Sequence, residues 1–119
     1  MNAPDLVRAA AAALDSKKGR RISAIDIHSL SVLADYFVIA SGSSSTQVHA
    51  LADEVEFQLA QQGIQPNRVE GIGNDSWMLL DYGTVIVHIF LDQAGDFYDL
   101  ERLWQDGTEF PLTDVLHPD

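Results

Sequence analysis

Leu6, Val7, Ala10, Ala11 and Leu14 recur at three- and four-residue spacing and predict an amphipathic helix over residues 4–17. Pro4 and Asp5 suit its first turn. Lys17, Lys18, Gly19, Arg20 and Arg21 close it, with cations favoured at a helix C-terminus and Gly19 suited to a left-handed cap. The β-branched run Ile22 to Ile27 predicts a strand, and the continuous apolar run Tyr36 to Ala40 a central strand covered on both faces. A polar junction from Ser41 to Thr46 follows. Val48, Leu51, Ala52, Val55 and Leu59 then repeat at helical spacing up to a break at Gly63. Pro66 marks a turn, Val69 and Glu70 a short strand, and the glycines and polar residues of 71–75 a loop.

The stretch from Ser76 to Gln105 carries both tryptophans and two of the three tyrosines of the chain. Strict alternation predicts a strand with Trp77, Leu79 and Asp81 on one face and Met78, Leu80 and Tyr82 on the other. A tight turn at Tyr82-Gly83 leads to a second strand, Val85 to Phe90, apolar on both faces. A last helix is expected from Gly95 to Gln105, with Phe97, Leu100 and Trp104 on one side. The predicted class is α/β, with a mixed sheet of four to five strands and about three helices, in one domain over residues 1–105. Residues 106–119 are expected to form a tail, ordered where Phe110 and Leu112 find contacts. Three helices supply roughly one covering layer for a sheet apolar on both faces, so part of that surface is expected to meet another chain.

Composition narrows the function. The chain has no cysteine, which removes disulfides and thiolate metal sites and fits a reducing compartment; cytosol is the expected location. No apolar run approaches membrane-spanning length, and neither a signal nor a transit peptide is recognisable. A net charge of −11 disfavours direct nucleic-acid binding and steers the protein toward a basic partner. Four of the seven basic residues lie in the run from Lys17 to Arg21, a helix end with a solvated turn.

The residues with chemical potential are scattered. His28, His49, His88 and His117 contain no pair at helical metal spacing, and His88, within an apolar strand, is expected to be a hydrogen-bonded core or interface residue. Gly42-Ser43 with Asp53, Glu54 and Glu56 is similar to the Gly-Ser and carboxylate pattern of nucleotidyltransferases. Adjacent helical carboxylates diverge, however, and a capped helix with a solvated face explains them more simply. Asp26, Asp35, Asp81 and Asp92 fall near strand ends. Nothing here requires an enzyme, a cofactor or a metal; a nucleotide-binding or nucleotidyltransferase-type enzyme is the alternative reading, and an assembly factor using the same apolar sheet a third.

Three blocks, Trp77-Met78-Leu79-Leu80-Asp81-Tyr82-Gly83, Val85 to Phe90, and Phe97-Tyr98-Asp99-Leu100-Glu101-Arg102-Leu103-Trp104, resemble the signature of the Iojap-related ribosomal silencing factors. Asp35 to Ser44 with Gln47 and Ala50 resembles the family's N-terminal half, and Val69-Glu70-Gly71 its middle. The resemblance implies a non-enzymatic translation regulator with a nucleotidyltransferase-like topology lacking the catalytic carboxylates, and with homodimers known. It implies docking on a basic protein of the large ribosomal subunit, the intersubunit-face protein numbered fourteen, and a steric block to small-subunit joining under nutrient limitation. Carried over residue by residue, the binding surface comprises Trp77, Met78, Asp81, Tyr82, Gly83 and His88, with Tyr98, Glu101 and Trp104 nearby. Trp77 and Tyr82 are expected as aromatic anchors and Asp81 as an acceptor for a basic residue. Thr84 and Gly95 depart from the pattern, standing where the family usually has Asp and Arg.

Overall fold

A computed structural model describes residues 1–32, 34–72, 76–92 and 106–116. Helix α1, Ala3–Ser16, begins where the Asn2 side chain accepts the Asp5 N–H at 2.9 Å, and it buries Leu6, Val7, Ala10, Ala11, Ala13 and Leu14. At its end Lys18, not Gly19, takes the left-handed conformation, with φ +60°. Gly19 is needed for closeness instead: a Cβ there would lie 3.0 Å from the Leu14 carbonyl oxygen and 3.2 Å from Leu51. Strand β1, Arg20–Asp26, carries a bulge between Arg20 and Ser23 with Arg21 at φ +52°, and pairs antiparallel with β2, Tyr36–Gly42.

Helix α2, Ser45–Ala60, is capped by Ser44, whose Oγ accepts the Gln47 N–H at 3.1 Å; Gln47 Oε1 in turn accepts the N–H and hydroxyl of Ser43. The polar junction seen in the sequence is thus a helix cap. Gly63, at φ +78°, follows the helix, and Ile64 N–H reaches back to the Leu59 carbonyl. Strands β3, Arg68–Ile72, β4, Trp77–Asp81, and β5, Val85–Leu91, form an antiparallel meander, after which β5 lies parallel to β2. Among the described residues the sheet has six strands in the order β3-β4-β5-β2-β1-β6, rather than four or five. The additional one, β6, Thr108–Phe110, comes from the expected tail and pairs antiparallel with β1. Beyond it Leu112 is buried, and Phe110 meets Tyr36 edge-on at 5.5 Å.

Both described helices cover the same sheet face, building the main core with Val38, Ala40, Leu80, Val85, Val87 and Ile89. The helix expected over 95–105 lies outside the described residues. On the opposite face Ile25, Ile39 and Phe90 are fully buried, while Phe37, Trp77 and Ile86 are partly so. The centre of that face is therefore closed in the single chain, and the apolar surface expected to await a partner contracts to its margin. Among the described residues no helix is long and apolar enough to cross a membrane.

Candidate functional site

The alternation of β4 places Trp77, Leu79 and Asp81 on one face, as expected; that face is the one away from the described helices, and the antiparallel register sets Trp77 opposite Phe90 and Leu79 opposite His88. The Trp77 indole stacks on Phe90 with 5.1 Å between centroids and donates its Nε1–H to His88 Nδ1 at 3.1 Å. Phe37 meets the same imidazole edge-on at 4.5 Å, because the parallel β2–β5 pairing brings it alongside. The outcome is an aromatic cluster that fixes the orientation of Trp77 while leaving the residue only partly buried.

His88 itself is 4% exposed, and burial pushes its pKa down to about 4. At neutral pH it is uncharged. Because Nδ1 accepts from Trp77, the ring proton sits on Nε2, a buried atom with no partner among the described residues. A general base needs access to a substrate proton, and this imidazole has little. Of the two expectations, a hydrogen-bonded core or interface histidine, its burial and its bond to Trp77 match the core one.

At the other end of β4 the chain turns through Gly83 and Thr84. Tyr82 N–H donates to the Val85 carbonyl at 2.9 Å and Gly83 adopts φ +87°, the arrangement of a two-residue hairpin loop with glycine at its first central position. Asp81 organises this turn: its carboxylate accepts the Gly83 N–H at 2.8 Å and takes a 3.3 Å ion pair from Arg68 Nε. The acceptor expected to await a partner's basic residue is already engaged within the chain. Tyr82 faces the helix-side core, its hydroxyl buried with no hydrogen-bond partner among the described residues; burial first, and the Glu56 charge second, push its pKa up to about 12. Met78 is also on the helix side, 8% exposed and part of the core.

The structure therefore divides the expected surface. Trp77 and Asp81 share one face, Tyr82 and Met78 the other, and Trp77 and Tyr82 stand at opposite ends of β4. Tyr98, Glu101 and Trp104 lie outside the described residues. Two partners escaped the sequence reading. Phe37 carried no signal, since its contact with His88 depends on which strands are neighbours. Arg68 carried one: it is the single Lys or Arg between Arg21 and Arg102.

The carboxylates do not converge. Asp26, Asp35 and Asp81 fall at the edge of the sheet where β2 and β5 begin, and Asp92 at the opposite edge. There Asp92 accepts Arg20 Nη1 at 2.7 Å and the Ser41 hydroxyl at 2.6 Å. Asp26 is paired with His28 at 2.5 Å, and on α2 Glu54 accepts Gln58 Nε2 at 2.6 Å. Among the described residues no three His, Asp or Glu side chains group as a metal site. A cavity of about 980 Å³ lies between α1, β1 and the segment after β6, lined by Lys18, Ile22, Phe110 and Leu112 among others, and three strands from Trp77.

A family model described as ribosomal silencing factor during starvation matches residues 1–119. The ribosomal silencing factor RsfS of Bacillus subtilis is 41% identical over 115 residues, covering 97% of this chain and 95% of that protein. The RsfS of Halalkalibacterium halodurans is 36% identical over 116 residues, covering 98% and 99%. The crystal structure of a Chromobacterium violaceum protein superposes with a TM-score of 0.82 at 34% identity, over 93% of this chain and 91% of that one. On this agreement of motif, length and architecture, the chain belongs to the ribosomal silencing factor family.

Proposed function

We propose that this protein represses translation by docking on the large ribosomal subunit, through the basic intersubunit-face protein numbered fourteen, and blocking small-subunit joining when nutrients are scarce. The observation that carries the reading is Trp77: an indole locked by the His88 hydrogen bond and the Phe90 stack, yet part-exposed on a sheet face, is an anchor with little ordering entropy left to lose on binding. The net charge of −11 favours a basic partner over bare RNA.

In this reading Trp77 is the aromatic anchor. Asp81 shapes the adjoining turn at Gly83 and offers a carboxylate shared with Arg68, while Tyr82 reaches a partner only around the end of the hairpin. Met78 and His88 support the surface from beneath it, and Tyr98, Glu101 and Trp104 complete it on the strength of the motif they belong to. The expected unit, residues 1–105, carries this surface together with β6 from the segment that follows, with the nucleotidyltransferase-like topology put to a non-enzymatic use in the cytosol. The nucleotidyltransferase alternative is weakened because Ser43 and Ser44 cap α2 and Asp92 is held by Arg20 and Ser41. A second copy of the chain is proposed as a further partner.

The test is sedimentation with purified ribosomal subunits. The protein is expected to travel with free large subunits and to lower the fraction of joined ribosomes, and Trp77→Ala to weaken binding several-fold with a native circular dichroism spectrum. No co-sedimentation at low or moderate salt would refute the function; unchanged affinity of Trp77→Ala would remove that residue as anchor.

A further inference from the structure

The cavity between α1, β1 and the segment after β6 has a cause in the sequence. β6 covers β1 only from Ala24 to Asp26, and the next residue, Pro111, has no N–H with which to continue the ladder. The chain leaves the edge there and returns as a turn, in which the Val115 and Leu116 N–H groups reach the Leu112 carbonyl at 3.0 Å. Arg8 holds this segment against α1, with Nε 3.5 Å from Asp114 and the guanidinium 5.1 Å over the Phe110 ring. The space left open, about 980 Å³, is of ligand size and has an apolar wall of Ile22, Phe110, Leu112 and Leu116.

Asp15, Lys18, Arg20 and Glu109 also line it, and only one of these charges is uncommitted. Arg20 is held by Asp92 at 2.7 Å, and Asp15 is engaged within the chain. Glu109 stands opposite Ile25, whose side chain belongs to the sheet face away from the described helices, so its carboxylate is turned from the cavity. Lys18 remains, exposed and with no partner for its ammonium among the described residues. It is also strained. Lys18 and Arg21, at φ +60° and +52°, are the non-glycine residues with positive φ among the described ones. Both belong to the basic run that follows α1, for which ribosome docking has no use. Such conformations persist where the surroundings impose them, and they gather at ligand sites.

We propose that this cavity binds a small organic monoanion, a carboxylate carried on an apolar chain, with the carboxylate on Lys18 and the chain against Ile22, Leu112 and Leu116. One uncommitted cation matches one negative charge. A polyphosphate would bring further charges toward Asp15 with no free cation to meet them. The site lies three strands from Trp77 and stands independently of the docking surface proposed above. A ligand here touches the end of α1, the bulged part of β1 and the turn after β6 at once, so its binding ties the C-terminal segment to the rest of the fold.

The test is calorimetric titration of the full chain with decanoate below its micelle-forming concentration. Saturable binding at one site is expected, with a Kd of about 1 mM or below, and none with acetate, which has the charge without the chain. Lys18→Glu is expected to weaken decanoate binding roughly fivefold or more. Lys17→Glu makes the same change in net charge one residue away, on a side chain that pairs with Glu54 and does not line the cavity, and is expected to leave the Kd within about twofold. Leu116→Asp should abolish binding while keeping a native circular dichroism spectrum. Absence of saturable binding, equal loss in the two lysine variants, or equal affinity for acetate would overturn the site. Binding that shows only after removal of residues 117–119 would assign the cavity to the chain's own end and overturn it as well.

Discussion

His88 should make the stability of this protein fall between neutral and mildly acidic pH. Its pKa drops from an ordinary 6.5 to about 4 because burial disfavours the imidazolium. A depressed folded-state pKa means that the unfolded chain takes up the proton first. The stabilisation is therefore fully present above the unfolded value of 6.5, erodes as pH falls below it, and is lost on passing through about 4. Working the linkage with those two values, folding should weaken by about 2 kcal/mol between roughly pH 7 and pH 4.5 from this residue alone.

The perturbation is His88→Gln, which removes the titration while keeping an oxygen able to accept the Trp77 N–H. Urea unfolding, followed by circular dichroism at both pH values, gives the difference. Wild type should lose about 2 kcal/mol more than the variant, a sizeable share of the stability of a domain this small. Carboxylates contribute equally to both proteins and cancel. Equal loss in the two would refute the claim that a buried, neutral imidazole is maintained by the fold.

His28 should titrate in the opposite sense. Its hydrogen bond to Asp26, with that carboxylate's charge adding to it, raises its pKa, so its contribution is full below the unfolded value and is lost as pH rises through the raised one. Proton NMR should place its midpoint above 6.5, and Asp26→Asn should return it toward that value; an unchanged midpoint would remove the pairing as the cause. Gly83→Ala forces a side chain into φ +87° although the space around it is open, the nearest atom being 3.6 Å away. Loss of about 1 kcal/mol or more in urea unfolding is expected, and a neutral effect would show that the loop relaxes to another turn type.

Sequence alone determined the elements whose signal is local. Helical spacing of Leu6 to Leu14 and of Val48 to Leu59 specifies α1 and α2, since a helix must bury one stripe whatever it packs on. Alternation from Trp77 to Tyr82 and the glycine after it specify β4 and its hairpin, because pleat and turn conformation are set within a few residues. The ordered motif blocks identified the family.

What only the tertiary structure decided is which distant segments are neighbours. β6 is three residues without periodicity of its own and exists because β1 offers an edge to Thr108–Phe110. Trp77 and Tyr82 look like one patch in a motif, yet the pleat sends them to opposite faces. Asp81 looks free for a partner until the β3–β4 register brings Arg68 to it across thirteen positions of chain. The expected partner surface shrank because Ile25, Ile39 and Phe90 are buried on the face remote from the two described helices. Pairings of this kind rest on long-range contacts that no short window of residues contains.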